Sequence, residues 1–157
     1  MQRPKSSKEA CDLCERDGFF NPQESADRFK IESMVNNAVA DLEQARKIIP
    51  LTQKNSGGWS TIYKLHYDVL RELADACIRF DCVKSANHWC LFAFLCEKHP
   101  ELEFSWEFLE KVRTKRNGIY YYGTPIAFTD FKEIEFQINL YIETLRKAIE
   151  KKLKELD

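Results

Sequence analysis

The chain has 157 residues, is 44% apolar, and carries a formal charge of −1 from 24 basic and 25 acidic side chains. That length suits one domain with a core of its own. The charge balance excludes a global pull toward nucleic acid or membrane, so any anion binding must come from a local patch.

No apolar run approaches the roughly 20 residues needed to cross a bilayer. The first dozen residues also lack the apolar segment of a secretion signal. The expectation is a cytoplasmic chain without a membrane partner. Its six cysteines are then reduced and mostly act as small buried apolar groups.

Residues 1–20 show no hydrophobic period and read as a flexible arm or small appendage, leaving 21–157 as the folded unit. Cys11 and Cys14 have the spacing of half a zinc site. The other half would have to come across the fold from His88 and Cys90 or from Cys96 and His99. Such an isolated pair is weak support for a metal, and neither metal nor cofactor is expected.

Asn21, Pro22 and Glu24 resemble a helix start, with Asn as cap and Pro in the first turn. Ile31, Met34, Ala38, Leu42, Ala45 and Ile49 then fall on one helical face, and Pro50 ends it. After a polar Gly-containing loop, a second helix is expected from Ser60 to Phe80. One stripe contains Ile62, Leu65, Val69 and Leu73, with a second of Tyr63, Tyr67, Leu70 and Ala74 beside it. So wide an apolar surface marks a helix with several neighbours.

Ser85 to Lys98 forms a third helix, apolar nearly all round between Cys90 and Cys96. A strand is the rival for so short a run, but nothing else in the chain offers it a pairing partner. A fourth helix covers Phe104 to Asn117, extending at most to Tyr121, and a last one opens at Asp130 and runs to the end. The expected architecture is all-α, an up-and-down antiparallel bundle of about five helices.

One stretch stands apart. From Lys111 to Gly123 the sequence carries a row of cations, an Asn-Gly step and three tyrosines. Leu109, Val112 and Arg116 lie on one helical face, so Arg116 occupies a slot suited to Leu or Ile. A guanidinium does not shed its charge, and a half-buried one needs an anion. Two sources are open: an acid of the second helix, among Asp68, Glu72 and Asp75, or the phosphate of a ligand.

From Thr61 onward the chain resembles the HEPN family (higher eukaryotes and prokaryotes nucleotide-binding). The resemblance rests on Tyr63 to Phe80 with Tyr67-Asp68 inside it, on His88 near the start of the next helix, and on Arg113-Thr-Lys-Arg116-Asn117 with a following Tyr. It implies a small helical homodimer, often beside a nucleotidyltransferase-type protein partner. In ribonuclease members an Arg is followed, after four to six residues, by a His that acts as general base without metal. Here that slot holds Tyr121, Tyr122 or Gly123. A free tyrosine is only ~0.1% deprotonated at pH 7, so a degenerate ribonuclease is the expected enzyme at most.

By resemblance, Arg116, Asn117, Tyr121 and, from another helix, His88 are the candidate catalytic residues. Arg113, Arg116, Tyr120 and Tyr122 are the candidate ligands for the phosphate or base of an RNA or nucleotide at the dimer cleft. The alternative is a structural or accessory module whose arginines are locked by its own acids and whose partner is a nucleotidyltransferase-type protein.

Overall fold

The structure, a computed structural model, describes Pro4 and residues 6–156. It is an all-helical bundle with one short antiparallel pair of strands. The helices are α1 (Ser7–Arg16), α2 (Arg28–Ile48), α3 (Trp59–Ile78), α4 (His88–Lys98), α5 (Trp106–Tyr122) and α6 (Phe128–Glu155). The strands are β1 (Phe20–Pro22) and β2 (Val83–Ser85). No helix among the described residues is long and apolar enough to cross a membrane.

Helix α3 is the hub. Both of its apolar stripes are buried at Ile62, Tyr63, Tyr67, Val69, Leu70, Leu73 and Ala74, and Leu65 is half-buried. It packs against α2, α4, α5 and α6. Each fully buried Leu, Ile or Phe contributes on the order of 1.5–3 kcal/mol relative to exposure. On α6, Ile134, Ile138, Ile142, Leu145 and Ile149 supply the opposing face.

Of residues 1–20, read as a flexible arm or small appendage, residues 7–16 form a helix docked on α4. The Ser6 hydroxyl accepts from the Glu9 backbone N–H at 3.2 Å and caps it. Ala10, Cys11 and Cys14 are buried, and Cys14 is joined to Cys90 of α4 by a disulfide. This bond overturns two readings: the cysteines are not all free thiols, and Cys11 and Cys14 are not a matched metal clamp. Ser7 Oγ donates to Glu97 at 2.7 Å, and Lys98 pairs with Glu15 at 3.2 Å, tying the same two helices at their rim.

Asn21 and Pro22 do not start a helix. They pair in β1 with Lys84 and Val83 of β2 in antiparallel register, so a strand pair exists where none was expected. Periodicity is silent on pairs this short. Helix α2 begins at Arg28 instead, with Asp27 accepting from the Lys30 N–H at 3.0 Å as its cap. Helix α5 passes through Asn117-Gly118 unbroken and ends at Gly123, whose φ of +62° is the left-handed conformation that stops a helix. Helix α6 starts at Phe128, with Asp130 one turn in, accepting from the Ala127 N–H at 2.8 Å. Lys115 reaches Asp130 at 2.7 Å and Lys111 pairs with Glu133, fastening α5 to α6.

His99, only 6% exposed, lies between two carboxylates. Its Nε2 is 2.6 Å from Asp81 and its Nδ1 is 2.9 Å from Glu101. Both nitrogens must donate, so the ring is the cation, and the hydrogen bond to Asp81 holds its pKa above the usual histidine value.

Two outcomes are expected. Replacing Cys14 and Cys90 by Ser should lower unfolding free energy by about 2–4 kcal/mol in urea titration, with no further loss on adding reductant. The His99 contribution should be complete below its unfolded pKa, about 6.5, and decline as pH rises through the raised folded value. The stability gap between wild type and His99→Gln should therefore be wider at about pH 5.5 than at about pH 9.

Candidate functional site

The conspicuous residues of α5 divide between two adjoining faces. Arg113, Asn117 and Tyr121 recur every fourth residue and share one side. They line a groove of about 460 Å³ with Ala86, Asn87, His88 and Trp89 from the start of α4. Asn87 fixes this end of α4 by accepting from the Cys90 N–H at 2.8 Å. The Cys14–Cys90 disulfide begins in the same turn. Of the candidate residues, His88, Arg113, Asn117 and Tyr121 are thus gathered from two helices into one concavity.

Arg113 does not reach the acids of α3. Its Nε and one terminal nitrogen donate to the two oxygens of Glu110 at 2.8 and 3.0 Å. This is a two-pronged pair within one helix, which fixes the guanidinium plane and cancels much of its charge. Glu72 and Asp75 are engaged by Arg71 at 3.1 Å and Arg79 at 3.3 Å, so neither takes up Arg113 or Arg116.

Arg116 lies on the neighbouring face, in the stripe with buried Leu109 and Val112. Its side chain is 19% exposed, and its Nε is 3.9 Å from Asp68 Oδ1, too long for a hydrogen bond. That Nε is buried without an acceptor among the described residues. Burial raises the Asp68 carboxyl above the ordinary carboxylate range, opposed by Arg116 and Arg71. The charge in the apolar stripe is therefore faced by an acid but not clasped by it. The Tyr120 ring stacks near the guanidinium, 5.8 Å from its centre. Tyr122 is 84% exposed and belongs to neither face.

His88 sits where the groove meets the core. Its Nδ1 is 3.1 Å from the hydroxyl of buried Tyr67. His88 is exposed as a residue, but desolvation of its ring against Tyr67, reinforced by Arg71, Arg113 and Arg116, lowers its pKa to about 4, so the ring is neutral at pH 7. Tyr67 itself holds its proton more tightly than a free phenol because it is buried.

Sequence reasoning missed three participants. Glu110 was available as an acid one turn before Arg113, a spacing at which side chains meet on a helix. Trp89 is the immediate neighbour of His88 and shares its groove. Tyr67 carried the resemblance but no sign of contact with the site, because a core tyrosine and a tyrosine that touches a site have the same periodicity.

Comparison of the chain with models of protein families, with curated proteins and with solved structures finds no match.

Arg116 should be a stability liability. Replacing it by Leu fills the same stripe and removes the unpaired Nε, while half-exposed Asp68 keeps access to water. Arg116→Leu should therefore raise unfolding free energy by about 1 kcal/mol in denaturant titration. A destabilised variant would show that the Asp68 contact is structural.

Proposed function

We propose that the chain is a HEPN-like homodimeric protein that binds the phosphate and base of RNA or a nucleotide at the Arg-Asn motif, with ribonuclease activity weak or lost. The carrying observation is the convergence of His88, Arg113, Asn117 and Tyr121 on one groove, beside an arginine whose buried Nε has no acceptor. The Arg116 side chain is 19% exposed and only loosely faced by Asp68, so its guanidinium keeps capacity for a ligand oxyanion, and arginine suits two-pronged phosphate contact. The Asn117 amide can donate to the same oxyanion. Trp89 and Tyr121 offer ring faces to a base, a contact worth about 1–3 kcal/mol per base. Tyrosine in place of the motif histidine removes the usual base, which supports binding over turnover.

The alternative is an accessory module that partners another protein such as a nucleotidyltransferase. It draws on two features: Arg113 is already neutralised by Glu110, and Tyr120, Tyr121 and Tyr122 are all well exposed at the end of α5.

The test is titration of the purified protein with a short single-stranded oligoribonucleotide. Wild type should bind. Arg116→Ala and Asn117→Ala should each weaken binding by about tenfold, the loss of a charge-assisted hydrogen bond. With one or two effective phosphate contacts, log affinity should fall with log salt at a slope of only about −0.7 to −1.4. Equal binding by wild type and Arg116→Ala overturns the proposal, and copurification of a partner that engages the tyrosines favours the alternative.

A further inference from the structure

Resting on that reading, we infer that Tyr67 is a positioning residue that holds His88 in its Nε2–H form, so that the groove presents a neutral N–H donor and not a basic nitrogen. The Tyr67 side chain is 2% exposed, and among the described residues its hydroxyl has one hydrogen-bond partner, His88 Nδ1 at 3.1 Å. The Tyr63 hydroxyl is no alternative, for it has no hydrogen-bond partner among the described residues.

A buried O–H needs an acceptor, and leaving it without one costs more than the bond itself contributes. If Nδ1 carried the proton, it would donate to the phenol oxygen and the phenolic proton would be stranded. If Nδ1 is bare, it accepts from Tyr67 and every proton is placed. A neutral imidazole has one N–H, so that proton is then on Nε2.

The ring lines the groove, His88 is exposed, and its Nε2 makes no hydrogen bond among the described residues. It is therefore the edge offered to a ligand. Such a donor can hold a phosphoryl or ribose oxygen but cannot take a proton from a hydroxyl. Burial and the guanidinium groups of Arg71, Arg113 and Arg116, opposed by Asp75, keep the ring uncharged. On this account the reaction is impeded twice: the motif slot lacks histidine, and the histidine that is present has its lone pair turned inward.

The experiment is long-range proton–nitrogen correlation NMR of the full chain, free of ligand, at pH 7, with His88 assigned by His88→Gln. Wild type should show His88 with a bare Nδ1 and a protonated Nε2. Tyr67→Phe removes the hydroxyl and keeps the ring in the core. In that variant the two nitrogen shifts should move toward each other as both forms become populated. The His88 pKa should also rise by about one unit, since a hydrogen bond to the neutral form is lost. A protonated Nδ1 in wild type, or nitrogen shifts and a pKa unmoved in Tyr67→Phe, overturns the inference. Because no ligand is present, the result does not depend on whether RNA binds.

Discussion

A guanidinium set in an apolar stripe is the constraint around which this site is built. Leu109 and Val112 bury their side chains on the face of α5 that turns to the core, and Arg116 follows them one turn on. The charge cannot be discharged by proton loss, and desolvating it without a full partner costs several kcal/mol. The protein answers only in part. Asp68 stands 3.9 Å away, the Tyr120 ring lies alongside, and among the described residues the Nε goes without an acceptor. Arg113, three residues earlier, shows what a completed solution looks like, with both oxygens of Glu110 on its fork. The contrast between the two arginines separates a guanidinium held as structure from one left with unused capacity.

The groove beside them depends on elements far apart in sequence. Its α4 wall is set by the Asn87 cap and by the disulfide that brings α1 onto the same turn. Its α5 wall is carried through Asn117-Gly118 by an unbroken helix that stops only at Gly123. Were α5 to end at the Asn-Gly step, Tyr121 would leave the concavity. Helix α3 reaches the groove through the hydrogen bond between Tyr67 and His88, so a buried residue of the hub touches a residue of the candidate site.

Much of this fold was legible because its signals are periodic. The stripes of α3 and α6 follow the helical repeat closely, and their residues are buried as expected. What was not legible were events without a period. Phe20–Pro22 pairs with Val83–Ser85 through backbone groups that side-chain patterning does not report. Cys14 finds Cys90 only in three dimensions, so residues 7–16 seemed unanchored. Asn117-Gly118 has the composition of a helix stop, yet packing of α5 on α3 and α4 overrides that local preference. At the site, residue types on α5 were visible in order, whereas the division into two faces, the capture of Arg113 by Glu110 and the role of Tyr67 needed coordinates.

The most direct test of the central claim is where a ligand lands. Backbone amide shifts of the labelled full chain, followed while a single-stranded oligoribonucleotide is added, should move together at Asn87 to Trp89 and at Arg113 to Tyr121. Little should change on the outer face of α6, where Phe136 and Leu140 are exposed. Shifts confined to that outer face, or none at saturating oligonucleotide, would contradict the account.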